Sequence, residues 1–201
     1  MVDQPEEMRI GGVVLAAGES TRFGDENKLL ERIDGKRIVR RVTDIASEAR
    51  LDDVIVVVGY ESEAVEAALA DTGVTFRVNE AYSEGQSTSV KQGVAFAQAS
   101  GWDAAVFLLG DMPFVSPETV DRLIETYREG RGSIVAPRYD GVRGNPVLFG
   151  HQHFDALANL TGDRGGRDLI EEHDGTRFVD TADAGIRRDI DTRAEFRDLT
   201  E

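Results

Sequence analysis

Residues 15–24 read Leu15, Ala16, Ala17, Gly18, Glu19, Ser20, Thr21, Arg22, Phe23 and Gly24, with Asn27, Lys28, Leu29 and Leu30 close behind. Small residues let backbone N–H groups come close to a ligand, and such a loop can cradle phosphate oxygens. Arg22 and Lys28 add fixed positive charge to that loop. The segment lacks the Gly-Lys-Ser/Thr ending of a P-loop, and its glycines lack dinucleotide-fingerprint spacing. Composition alone leaves two readings open, a phosphate cradle and an ordinary glycine-rich turn.

A second segment, Gly110, Asp111, Met112 and Pro113, follows the apolar run Ala104–Leu109. A carboxylate at the end of a buried strand can take a hard cation, because magnesium accepts one or two carboxylates plus substrate phosphates. The same aspartate could instead cap the helix that starts near Pro117. The third segment is Asp189, Ile190, Asp191 and Thr192. On a strand, its two carboxylates point to one face and could complete a metal site with Asp111. They read equally well as solvated surface charge.

Elements of alternating type must position these segments. Apolar runs at Gly11–Ala17, Val54–Val58, Val74–Val78, Ala104–Leu109, Gly132–Ala136 and Pro146–Phe149 read as strands. Between them, Arg37–Arg50, Ser62–Ala70, Ser87–Ala99 and Pro117–Glu129 carry helical spacing, the last with proline at its start. Strands that are apolar throughout predict a mainly parallel α/β sheet with helices on both faces. Ligands then sit beyond the carboxyl ends of the strands, at a topological switch point. The three segments lie there.

The 201 residues, 40% of them apolar, suit one domain. Its nucleotide-binding part is expected over about residues 8–140 and its acceptor-side part over about residues 141–201. No stretch offers the roughly 20 apolar residues of a membrane helix, and Met1–Arg9 lacks the order of a secretory signal. A cytoplasmic enzyme without a membrane partner is expected. The absence of cysteine excludes disulfides and thiolate metal sites. A net charge of −15 disfavours nucleic acid as a partner and fits a halophilic source, where salt screens self-repulsion.

Other residues carry less. His151 and His153 form a His-x-His without a third zinc ligand at recognisable spacing. His173 reads as a solvated helix end, Trp102 as packing, and the basic run Lys36–Arg41 as the outer side of a helix.

Taken together, the motifs resemble the MobA-like NTP transferases, and among them the molybdenum cofactor cytidylyltransferases. The likeness spans nearly the whole chain. It adds Asn79, Tyr82, Gly85, Ser87 and Ser89 to the two segments above, then Arg143, Gly144, Asn145, Pro146 and Val147. Gly162, Asp163, Arg164, Gly165 and Arg167 follow, and Asp189–Thr192 closes the set. The resemblance implies a Rossmann-like nucleotidyltransferase fold and use of Mg2+ and CTP. Leu15, Ala16, Ala17, Gly18 and Gly110 would hold the nucleotide, with Arg22 and Lys28 on its phosphates. Gly85, Ser87 and Ser89 would contact the nucleoside. Asp111 and Asp189 would bind the metal, with Asp191 as the other choice. Arg143, Asn145, Gly162, Asp163 and Arg167 would face a phosphorylated pterin acceptor, and a molybdoenzyme would receive the product.

Ala17, where guanylyl-transferring relatives carry glycine, is similar to the cytidylyl branch, whereas Asn145 and Gly166 depart from it. The implied reaction is attack by an acceptor phosphate on the α-phosphorus of the nucleotide, releasing pyrophosphate. Catalytic weight falls on Arg22, Lys28 and Asp111. Guanylyl transfer, an NAD(P)-dependent oxidoreductase and a molybdenum cofactor carrier are the alternatives.

Overall fold

The computed structural model describes residues 8–24, 26–162 and 166–199. In chain order the elements begin with β1 (Ile10–Ala16), β2 (Arg32–Ile33), β3 (Lys36–Arg37), α1 (Ile38–Glu48), β4 (Asp53–Val58), α2 (Ser62–Ala68) and β5 (Thr75–Val78). They continue with α3 (Gln86–Ala99), β6 (Ala104–Leu109), α4 (Pro117–Arg128), β7 (Ile134–Tyr139), β8 (Val142–Arg143) and β9 (Val147–Gly150). The last are α5 (Phe154–Ala158), α6 (Arg167–Glu172), β10 (Thr176–Asp180) and α7 (Arg193–Asp198).

The central sheet runs β10-β7-β9-β6-β1-β4-β5, with β8 paired to β7. β1 is parallel to both β4 and β6, and β9 runs antiparallel between β6 and β7. The fold is therefore a Rossmann-like α/β arrangement with a mainly parallel sheet. Strict alternation builds its two cores. Val14, Ala16, Val56, Val58, Val106 and Leu108 pack against α1, α2 and α4 on one face. Val13, Ile55, Val57, Ala105 and Phe107 pack against α3, α5 and α6 on the other. The central strands β1, β4 and β6 bury both faces, which is why each reads as an unbroken apolar run.

The order places β1 between β4, the next strand of this sheet along the chain, and β6, which arrives from the other side. Connections after β1 and β6 diverge there and open a crevice. Close approach at its base requires glycine. A Cβ on Gly110 would lie 2.8 Å from the Leu15 carbonyl oxygen, while the Gly110 N–H donates to that oxygen at 2.9 Å. Trp102 is packing, as expected: it is buried, covers Gly11 and meets Phe96 edge-on at 5.5 Å.

Three features differ from expectation. The edge strand β10 escapes notice because Arg177, Phe178 and Asp180 are exposed and no apolar run marks it. Residues 188–192 form no strand, so Asp189 and Asp191 do not share a face by strand alternation. His173 is not a solvated helix end. Its Nε2 and that of His153 converge on Ser133 Oγ at 3.0 and 2.9 Å, with the rings 4.6 Å apart. Both imidazoles are satisfied when neutral: one accepts the serine proton and the other donates to the serine oxygen.

Burial, and then the neighbouring His173, hold the His153 pKa below its ordinary value. The unfolded chain therefore takes up this proton first as pH falls, and its stabilising contribution is present above and lost below the ordinary histidine pKa of about 6.5. The melting temperature is expected to fall between about pH 7.5 and about pH 5.5, above the carboxylate range, and His153→Gln should flatten that slope. A wild-type melting temperature constant across this window would remove the effect.

Candidate active site

The loop after β1 is shaped by its own short-range bonds. Ser20 adopts a positive φ of 56°, and its carbonyl accepts the Phe23 N–H at 2.8 Å. Its hydroxyl accepts the Lys28 N–H at 3.3 Å. Asn27 caps the single 3-10 turn Lys28–Leu30 by accepting the Leu29 N–H at 3.1 Å. These contacts bring Lys28 back beneath the loop. Phe23 is buried and meets Phe196 of α7 edge-on at 5.8 Å, while the Arg193 guanidinium lies 5.1 Å from the Phe23 ring centre. The C-terminal helix thus clasps the loop, a contact without any signal in local spacing.

Lys28 Nζ donates to Asp111 Oδ2 at 2.7 Å and to Asp191 Oδ1 at 3.0 Å. Arg22 pairs with the other oxygen of Asp191. Burial penalises the Lys28 charge, but the fields and hydrogen bonds of Asp111 and Asp191 outweigh that and hold its pKa above the ordinary value. Asp189 stands apart: it is exposed, yet partial burial of its carboxyl raises its pKa, with Asp191 and Asp111 adding to the rise. Its own backbone N–H and Lys28 oppose that rise. Ile190 is fully buried, and its N–H donates to the Asp111 carbonyl at 3.1 Å, which ties the two acidic segments together.

Asp111 and Asp191 therefore present hard oxygen donors to one point, whereas expectation had ranked Asp189 ahead of Asp191. Among the described residues no three His, Cys, Asp or Glu side chains form a metal cage. Two carboxylates fit a hard divalent cation that draws its remaining ligands from substrate phosphates and water.

A cleft of about 370 Å3 opens above them. Leu15, Ala17, Gly18, Arg22, Lys28, Gly85, Ser89, Asp111 and Asp191 line it, joined by Glu19, Thr21, Tyr82 and Gln86, which sequence reasoning did not assign. The amino end of α3 faces this cleft through Gly85 and Gln86, an end that favours negative charge. Ala16 and Gly110 lie in the wall behind, Ala16 with its side chain in the core. Ser87 is buried away from the lining, and its N–H donates to the Gly162 carbonyl at 3.1 Å. Asn79 is structural, donating to Thr88 and Ser89 at 2.8 and 3.0 Å.

A second hollow of about 200 Å3 adjoins the first through Leu15, Gln86 and Leu109. Val90, Phe107, Val147, Phe149, Leu157 and Ile170 give it apolar walls, and Arg143, Asn145 and Arg167 make its remaining surface polar. Arg143 is half-buried; burial, with Arg167 nearby, holds its pKa below the ordinary arginine value, while Glu171 opposes this. Asp163 lies outside the described residues.

A switch-point crevice with a small-residue loop, two basic side chains and paired carboxylates defines an α/β protein built to handle nucleoside phosphates. The chain belongs to the MobA-like NTP transferase family, whose model matches residues 12–176, and is thus a nucleotidyltransferase. It is 31% identical over 194 residues to the purine catabolism protein PucB of Bacillus subtilis (strain 168), covering 92% of this chain and 93% of that protein. A bifunctional protein GlmU from Francisella philomiragia subsp. philomiragia is 29% identical over 170 residues. That match covers 84% of this chain and 34% of GlmU, so the chain spans about a third of the bifunctional relative.

Rv0371c from Mycobacterium tuberculosis H37Rv superposes with a TM-score of 0.82 at 32% identity, covering 96% of this chain and 97% of that one. Its complex with manganese gives 0.78 at 31%, covering 96% and 98%. No helix of the described residues is long and apolar enough to cross a membrane.

Proposed function

We propose that this chain transfers CMP from CTP to the phosphate of a molybdopterin-type acceptor and releases pyrophosphate. The observation that carries this reading is Lys28 held by Asp111 and Asp191 in a phosphate-type cleft that adjoins a second hollow through Leu15, Gln86 and Leu109. The triphosphate lies against the loop after β1, near Arg22 and Lys28. The flat pterin ring would stack against the apolar walls of the hollow, with Asn145 and Arg167 near its polar edge and its anionic group directed by Arg143. The acceptor oxygen then attacks the α-phosphorus in line, and the bond to the β-phosphate oxygen breaks.

A phosphate with a second pKa of about 6 is already ionised near neutrality, so no general base is needed. The chain contributes positioning and charge complementarity. Asp111 and Asp191 would hold magnesium, which supplies charge neutralisation on the phosphates. The manganese complex of the Rv0371c structure supports use of a divalent cation.

Support for a pyrimidine is Ala17, which belongs to the cleft lining and stands where the resemblance gives guanylyl-transferring relatives a glycine. Side-by-side turnover with a pterin acceptor is expected to favour CTP over GTP by about tenfold or more, roughly 1.4 kcal/mol. Pyrophosphate is the product to follow. A GTP preference would assign guanylyl transfer instead, and no pyrophosphate from any nucleoside triphosphate would end the transferase reading.

A further inference from the structure

The ammonium of Lys28 holds the very ground that a divalent cation on Asp111 and Asp191 would need. Nζ lies 2.7 Å from Asp111 Oδ2 and 3.0 Å from Asp191 Oδ1, whereas a magnesium ion would sit about 2.0–2.1 Å from such oxygens. Ammonium and metal between the same two carboxylates exclude each other by size and by charge. Asp191 is committed on both sides, since Arg22 takes its second oxygen. The two basic side chains that face the cleft are therefore both occupied by carboxylates.

We infer that metal and nucleotide enter this site as one coupled event, through an exchange of partners by Lys28. The exchange presupposes the nucleotide transfer proposed above. A cation arriving alone must displace an ammonium and leave it unpaired in a partly buried place. A triphosphate arriving alone must draw Lys28 and Arg22 away from carboxylates that then repel both each other and the phosphates. Arriving together, the cation takes over Asp111 and Asp191 while the phosphates take over Lys28 and Arg22. Every charge keeps a partner.

The backbone need not move. Lys28 stands in a short turn pinned by Asn27 and Ser20, and its flexible four-carbon stem can swing the ammonium between the two sets of oxygens. Coupling of this kind is reciprocal, so each ligand strengthens the other by the same factor, typically about 5–150-fold.

The test uses manganese alone as the probe, with free ion counted by electron paramagnetic resonance. Wild type, Lys28→Met and Lys28→Gln are titrated with and without a CTP analogue that cannot be cleaved between its α- and β-phosphates. In wild type the analogue should tighten manganese about tenfold or more. Without the analogue, both Lys28 variants should bind manganese about tenfold more tightly than wild type, and the analogue should add less. Manganese should also raise the melting temperature of the variants more than that of wild type, because it restores charge to a pair of bare carboxylates.

Asp111→Asn must abolish this binding; manganese retained in that variant would place the ion elsewhere and overturn the exchange. Equal or weaker manganese binding by folded Lys28→Met and Lys28→Gln would overturn it as well. Neither result touches pyrophosphate release, so a failed exchange and a failed transferase reading are separable.

Discussion

Asp111→Asn is expected to lower turnover by at least about 100-fold, the scale of losing one preorganised electrostatic group. The fold should survive. The Asp111 backbone carbonyl, which accepts the Ile190 N–H at 3.1 Å, is unchanged by the substitution. Lys28 keeps its bond to Asp191 at 3.0 Å, so no bare ammonium is left behind. What disappears is one of two anionic oxygens that face a common point, and a neutral amide is a far poorer ligand for a hard cation than a carboxylate. Turnover measured across a magnesium series, with thermal melts alongside, decides the matter. Near-normal turnover with the same magnesium dependence would take Asp111 out of the site.

Lys28→Ala should cost about 100-fold in kcat/KM, divided between kcat and KM if the charge is felt more strongly in the transition state than in the bound substrate. Its electrostatic setting explains the size. The protein carries −15 overall, so its field opposes a triphosphate at low salt. Lys28 is one of the few cations inside the cleft, and its side chain is only 13% exposed, which limits screening by solvent and salt. Removing it also leaves Asp111 and Asp191 facing each other, so the melting temperature should drop and recover as salt rises.

Lys36→Ala is the control. Lys36 sits in the β2–β3 hairpin with its side chain 51% exposed and paired to Asp44, and it does not line the cleft, so its loss should change kcat/KM within about twofold. Both variants belong in matched high salt, with kcat, KM and melting temperature read together. Equal small effects from the two would make Lys28 ordinary surface charge and the loop an ordinary turn.

The chain's local pattern determined the central strands and the chemistry-bearing segments at their ends. Ala104–Leu109 reads as a strand with the bounds it has in the structure, and Val54–Val58 differs from β4 by a single residue. Strands buried on both faces must be apolar throughout, and this pattern needs no knowledge of neighbours. The loop after β1 and Asp111 after β6 follow, because ligands gather where parallel strands end and the order of strands reverses. The edge strand β10 stayed hidden for the converse reason: an edge open to solvent imposes no apolar run.

Which carboxylate faces the cleft was decided only in three dimensions. Asp189 and Asp191 are chemically alike in sequence, and strand alternation would have pointed both the same way. Burial of Ile190 and its bond to the Asp111 backbone instead hold the segment irregular, with Asp191 toward Lys28 and Asp189 aside. The clasp of α7 on the loop, through Phe196 on Phe23 and Arg193 on the same ring, joins residues about 170 apart. So does the pairing of Arg22 with Asp191, and His153 meets His173 by the same kind of long-range packing. Spacing along a chain reports the period of an element and the face it buries. Which distant groups then meet across a crevice depends on the angle and register at which whole elements pack, and these are set by the two cores together rather than by any one segment.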